Sequence, residues 1–306
     1  MHKEDRELLK DIIITVSEKS GLDENIVEKD YYVTLILKEL VKGNPSIVFK
    51  GGTSLSKAYH VIERFSEDID ITFTEHIGEA RRKKLKYNLL KPISETLGLP
   101  IDNWDTIESD KDLNQYDFRY DAVMSSENDV LIPYVKVETS LMSYSYPTEQ
   151  KEISSIIYEY LKEDNMDIIE EFDLMPFIMS VQSLDRTFID KLFAVCDYYM
   201  NGKATRNSRH LYDIYKLYPY IKFENDFKFL LDEVRALRAK MDIRITPSAR
   251  FDVDIMEIAQ KLVDEDFYAK DYEDSTIKLT NDYVEYQKAK EQYLKVIMEL
   301  FGNYNG

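Results

Sequence analysis

The chain has 306 residues, 58 acidic against 40 basic, and a formal net charge of −18. That length suffices for one large domain or two ordinary ones, and the acidity excludes a chain that is basic throughout, leaving nucleic-acid contact to local patches. A single cysteine, Cys196, excludes an internal disulfide, and no apolar run reaches membrane-spanning length; Met1-His2-Lys3-Glu4-Asp5 lacks the apolar core of a signal peptide, so a cytoplasmic protein with no membrane partner is expected.

In chain order, Leu8, Leu9, Ile12, Ile13 and Val16 recur at helical spacing over 4–19, and Gly21 ends that helix. Asp23 is suited to cap a second helix, which runs through Ile26, Tyr31 and Leu40 until Gly43-Asn44-Pro45 breaks it. The apolar run Ile47 to Phe49 predicts a buried strand ending in Gly51-Gly52, followed by an amphipathic segment and a second, alternating strand opened by Asp68-Ile69-Asp70. A charged helix is predicted over 78–97, before Gly98 and Pro100. Residues 115–124 and 130–142 read as strands; in the latter Val135 and Val137 face one way and Lys136 and Glu138 the other, with Pro133 arguing for an edge or a bulge. Residues 153–160 fit a strand or a short helix equally. From about 176 the pattern is helical, over 184–200, 207–218, 225–240, 252–263 and 281–301. A composition shift at Met175-Pro176 sets the expected boundary between an α/β domain, 1–175, and a helical domain, 176–306. The fold class is α+β, a mixed-sheet domain followed by an all-helical one.

The chemistry concentrates in 48–74. Two glycines let a backbone approach phosphate oxygens closely, and a helix N-terminus favours anions. Gly51, Gly52, Thr53 and Ser54 are therefore candidates for holding a polyphosphate, with Thr53 or Ser54 also suited to cap the next helix. On a strand, Asp68 and Asp70 share a face. Side-by-side carboxylates repel unless a cation lies between them, and the hard, oxygen-seeking cation of nucleotide chemistry is Mg²⁺. A phosphate cradle beside such a pair implies metal-assisted handling of an NTP. Lys57, one turn into the helix, either reaches a phosphate or sits on the surface, and Ser66 shares a face with Asp68 if the strand extends back to it. Glu138 either completes the carboxylate set from a neighbouring strand or pairs with Lys136, which itself contacts a phosphate or lies along the sheet. Positive charge clusters at Arg81-Arg82-Lys83-Lys84 with Lys86, and at Lys203, Arg206 and Arg209 beside Asp213. One cysteine and four histidines make no zinc site, and no Walker-type phosphate loop is present.

The string Lys50-Gly51-Gly52-Thr53-Ser54-Leu55-Ser56-Lys57, followed by Arg64-Phe65-Ser66-Glu67-Asp68-Ile69-Asp70, resembles the signature of DNA polymerase β-like nucleotidyltransferases. More narrowly it resembles the AbiEii toxin family of type IV toxin–antitoxin and phage-abortive systems. Val27-Glu28-Lys29-Asp30-Tyr31-Tyr32, Lys191 and Arg209-His210-Leu211-Tyr212-Asp213 match the same family, so the likeness spans roughly 25 to 215. The resemblance implies a nucleotidyltransferase-like fold whose helical domain closes the active-site cleft. It implies Mg²⁺ held by Asp68, Asp70 and Glu138, and it tips Ser66 towards the site; Gly51, Gly52, Thr53, Ser54 and Arg209 join it around the nucleotide, with Lys57 and Lys136 as the further candidates. Lys191 would meet the triphosphate and Asp213 would orient Lys191 or the acceptor; a buried Lys191–Asp213 pair serving only as structure is the competing reading. The implied reaction passes a nucleoside monophosphate from an NTP to RNA, at the 3′ end of tRNA, so that translation and growth stop. The implied partner is an antitoxin encoded alongside, with no direct contact required. A small-molecule or protein hydroxyl as acceptor, and a non-catalytic nucleotide-binding module, are the alternatives.

Overall fold

The computed structural model describes residues 3–64, 66, 68–108, 111–124, 133–141, 145–280 and 282–302. It divides into two compact units, one of Met1–Tyr59 with Glu67–Val181, the other of His60–Ser66 with Gln182–Gly306. The second unit thus takes in the short stretch before the Asp-x-Asp strand as well as the helices of the carboxy-terminal part.

The first unit is built on a six-stranded mixed sheet in the order β3-β4-β2-β1-β6-β5. Its strands are β1 (Ile47–Lys50), β2 (Asp68–Phe73), β3 (Leu113–Arg119), β4 (Tyr134–Ser140), β5 (Thr148–Ile153) and β6 (Phe177–Gln182). β1 runs antiparallel to β2 and parallel to β6, while β4 runs parallel to β2 and antiparallel to β3. Helices α1 (Lys3–Ser20) and α2 (Glu24–Gly43) pack on each other, and α2 packs on β4. Their apolar stripe, with Leu9, Ile13, Val27, Ile36 and Leu37, joins Phe49, Ile69, Ile71, Val135 and Val137 in one core. Asp23 caps α2 through its side chain, as its position before the apolar periodicity predicts. The short α3 (Gly51–Lys57) follows β1 directly and lies against β1 and β2.

The charged helix expected over 78–97 is present but not uniform: α4 (Glu79–Lys84) widens to a π-helical turn, Leu85–Leu90, before α5 (Lys91–Leu97). Pro92 in the first turn of α5 has no N–H to give to the preceding turn, which accounts for the break in the ordinary ladder. β3 ends at Arg119, short of the expected 124. β4 starts after Pro133, and residues 130–132 and 142 of that expected strand lie outside the described residues. β4 is internal, so Pro133 marks a strand start and not an edge or a bulge. The ambiguous 153–160 resolves into both readings, the end of β5 and then α6 (Ile156–Leu161), which Ser155 caps. After α7 (Met166–Glu171), β6 continues the sheet beyond the composition shift at Met175-Pro176.

The second unit is helical, with α8 (Leu184–Met200), α9 (Arg209–Leu217), α10 (Asn225–Arg238), α11 (Ile255–Asp264), α12 (Ala269–Asp271) and α13 (Tyr286–Phe301). α8 packs against α9, α10 and α11, and α13 against α9 and α11. Leu192, Val195, Leu211, Ile214, Leu262, Tyr293 and Ile297 are among its buried residues.

Candidate active site

β2 alternates as its sequence requires: Ile69 and Ile71 are buried, and Asp68 and Asp70 stand half-buried on the other face. Register sets their neighbours. On β4, Lys136 pairs with Asp68 and Glu138 with Asp70. On β1, Lys50 pairs with Asp70, and on β3, Asp117 pairs with Lys136 and Gln115 with Glu138. Paired residues share a sheet face, so one polar surface carries Asp68, Asp70, Glu138 and Asp117 with Lys50 and Lys136. The expected strand position of Glu138 is therefore met. Lys50 and Asp117 were not singled out from the sequence, because only the strand order brings them in.

Gly51 opens α3 with φ +79°, a left-handed conformation that glycine adopts without strain. A Cβ there would lie 1.9 Å from Asp70 Oδ2, so the missing side chain lets backbone and carboxylate touch. The Thr53 hydroxyl donates to the carbonyl oxygen of Asp68 at 2.5 Å, and the Ser54 hydroxyl donates to the Gly51 carbonyl at 2.9 Å. Neither hydroxyl caps α3; Lys50 holds the cap position without a side-chain bond. Lys57 is neither a surface lysine nor turned outward. Its ammonium donates to Asp30 Oδ1 at 2.5 Å, both side chains being more than nine-tenths buried. Ser66 precedes β2, which begins at Asp68, so it is not a strand residue; Phe65 and Glu67 of the same motif lie outside the described residues.

Asp68 Oδ1 is buried and has no hydrogen-bond partner among the described residues. An orphaned carboxylate oxygen is costly unless something else meets it. Asp70 and Glu138 are like charges directly opposite each other, an unfavourable pairing without a cation between them. This donor set, all hard oxygen, fits a divalent cation such as Mg²⁺. Among the described residues no group of three or more His, Cys, Asp or Glu forms a ready metal cage. Mg²⁺ commonly needs none, taking one or two carboxylates and filling its shell with substrate phosphates and water.

In the second unit Asp213, fully buried on α9, accepts from three donors. Lys191 Nζ on α8 lies 2.6 Å from Oδ2, and Arg64 clasps both oxygens, with Nε at 2.7 Å and a terminal nitrogen at 2.8 Å. Burial alone would raise the Asp213 pKa, but Arg64 and Lys191 hold it far below the carboxylate range. Burial draws the Lys191 pKa down, Asp213 opposes this, and Arg64 and Arg209 add to it. Arg64 is the third member of the cluster, a partner that its sequence motif beside Asp68 does not announce. His210 stacks on Tyr198 with ring centroids 5.6 Å apart, and its Nδ1 is buried without a hydrogen-bond partner among the described residues. Arg209 is half-buried at the start of α9. Of the basic run on α4, Arg81 pairs with Glu75, Arg82 with Asp112 and Lys83 with Glu79, while Lys86 donates to the carbonyls of Trp104 and Ile107. Among the described residues no helix is long and apolar enough to cross a membrane.

A mixed sheet with same-face aspartates beside a glycine turn, followed by a helical region, is the architecture of a nucleotidyltransferase-like protein. A family model described as "Nucleotidyl transferase AbiEii toxin, Type IV TA system" matches residues 35–295, and the chain belongs to that family. The match begins after Val27–Tyr32, the stretch that resembles the family's lead-in. Among solved structures the fold is similar to MenT4, a nucleotidyltransferase toxin from Mycobacterium tuberculosis H37Rv. Identity is 14%, coverage 96% of this chain and 89% of that one, and the TM-score 0.51. JHP933 from Helicobacter pylori matches at 17% identity, covering 92% and 94% of the two chains, with a TM-score of 0.45. No curated protein matches the chain.

Proposed function

We propose that this protein transfers a nucleoside monophosphate from an NTP to an RNA hydroxyl, at the 3′ end of tRNA, and thereby blocks translation and arrests growth. The observation that carries the reading is the Asp68 and Asp70 pair, one oxygen orphaned among the described residues, with the backbone of Gly51 against Asp70. Asp68 and Asp70 would hold Mg²⁺, with Glu138 beside them as the third carboxylate. When bound, the ion supplies charge neutralisation at the triphosphate and the departing pyrophosphate. Amides of the Gly51–Gly52 turn and Lys136 serve the phosphates. The acceptor oxygen attacks the α-phosphorus, the bond from that phosphorus to the bridging oxygen breaks, and pyrophosphate leaves. The hydroxyl proton passes to a carboxylate of the same face. Arg64 and Asp213 set the position and charge of Lys191, the residue that family resemblance assigns to the triphosphate; Arg209 adds positive charge nearby in sequence. An antitoxin encoded alongside, acting without necessary contact, completes the system.

The net charge of −18 leaves a second acceptor class in view, a small molecule or a protein hydroxyl. The test is the purified chain with Mg²⁺, each α-labelled NTP, and total tRNA, total protein or a small-molecule extract. Label on tRNA 3′ ends is the expected result, and Asp68→Ala lowers transfer at least about a hundredfold. Label on protein or small molecules replaces the RNA acceptor. Unchanged transfer by Asp68→Ala overturns the site.

A further inference from the structure

We propose that Lys57 is a positioning residue, not a phosphate ligand, and that with Asp30 it holds the α3 turn against the two aspartates of β2. The inference rests on the proposed function for its consequence, but on separate contacts for its geometry. Lys57 lies in the last turn of α3, a seven-residue helix too short to hold its own shape in water. Its ammonium is given to Asp30 Oδ1 on α2. The other oxygen, Oδ2, accepts the N–H of Ile156 at 2.7 Å, at the start of α6. Asp30 therefore ties three helices of the first unit to one carboxylate. At the opposite end of α3, Gly51 packs on the Asp70 carboxylate and Thr53 donates to the Asp68 carbonyl. A shift of α3 moves the backing of both aspartates together. A lysine already buried and bonded to a carboxylate would have to break that bond to reach a phosphate, leaving Asp30 charged and unpaired in the interior.

The test is a double-mutant cycle on the full chain with Asp30→Asn, Lys57→Gln and the two combined. Amide hydrogen exchange over 51–58 and affinity for each of the four Mg²⁺–NTPs are measured, with transfer rate as kcat and KM. Each single change is expected to raise exchange over 51–58 and weaken NTP affinity about tenfold, with KM moving more than kcat. The double variant keeps a neutral hydrogen-bonding pair and an acceptor for Ile156, so it recovers protection and binds NTP more tightly than Lys57→Gln alone. If the double variant binds NTP no better than Lys57→Gln, Lys57 touches the phosphates and the proposal fails. Unchanged exchange over 51–58 in the single variants overturns it equally. Should the parent chain bind no NTP, the functional reading fails, while the exchange cycle alone decides whether the pair holds the turn.

Discussion

Lys57 in the first unit and Lys191 in the second both end on a buried aspartate, yet the two aspartates are met by different sets of donors. Asp30 receives one cation and one backbone N–H, so the pair is neutral. Asp213 receives both Lys191 and Arg64, two cationic side chains on one carboxylate. A neutral buried pair has no reason to attract a ligand ion and acts on structure. A buried carboxylate shared by two cationic side chains is costly to break from either side. The same residue type, on a short helix in one unit and a long one in the other, thus meets a carboxylate with a different set of other donors.

The contrast breaks most sharply at Asp213. Asp213→Asn takes away the carboxylate that Arg64 and Lys191 share in the interior, at a cost of about 3–5 kcal/mol, the upper range for breaking a buried ionic network. Denaturant unfolding of the full chain reads this, and the loss should exceed that of Asp30→Asn, which keeps an acceptor for Ile156. Equal losses at the two sites would mean that the second cation on Asp213 carries no weight. Gly51→Ala comes next. It forces a side chain into a left-handed backbone position and onto the Asp70 carboxylate, costing about 1–3 kcal/mol by overpacking. Transfer activity should fall by more than stability does, because Asp70 is displaced. A parent-like variant would show that the close approach has no role.

Much of this arrangement was legible in the chain. Period two places Asp68 and Asp70 on one face, and that face exists. The Gly-Gly turn announces a close backbone approach, and Gly51 makes one, to Asp70. The long helices, with α8 over Leu184–Met200, follow from apolar spacing alone. What was not legible depends on residues meeting across long sequence separations. Arg64 lies 149 residues from Asp213, and no local pattern says which carboxylate a motif arginine will clasp. Lys57 is 27 residues from Asp30, and a lysine on a short helix reads as exposed until α2 is placed beside it. β6 opens on three consecutive apolar residues, Phe177-Ile178-Met179, and so lacks the polar–apolar alternation that opens β2 at Asp68-Ile69-Asp70-Ile71. Pro133 argued for an edge because the preceding residues were read as strand; once β4 starts at Tyr134 the proline violates nothing.

The second unit also has a pH signature, at His210. His210 is held well below its ordinary pKa of 6.5, first by burial and then by Lys191, Arg209 and Arg64, with Asp213 opposing them. The unfolded chain takes up a proton near pH 6.5 that the folded one refuses. Stability contributed by the neutral ring is therefore complete above pH 6.5 and is lost as the pH falls below it, by at most about 1.4 kcal/mol per pH unit. His210→Phe keeps a ring to stack on Tyr198 and removes the proton, so its stability relative to the parent should improve between pH 7 and pH 5. Parallel profiles for the two proteins would show that the surrounding cations do not act on this ring.

The smallest expected effect sharpens the neutral side of the contrast. Thr53→Val is nearly isosteric and removes the hydrogen bond to the Asp68 carbonyl, worth about 1 kcal/mol. If the Asp30–Lys57 pair already holds α3, the turn stays in place and the melting temperature falls slightly, with KM for the NTP little changed. If the Thr53 bond is what holds the turn, KM rises as far as it does in Lys57→Gln. Combining Thr53→Val with Lys57→Gln separates the cases. Two independent supports for one helix give a combined loss larger than the sum, because either alone suffices until both are gone.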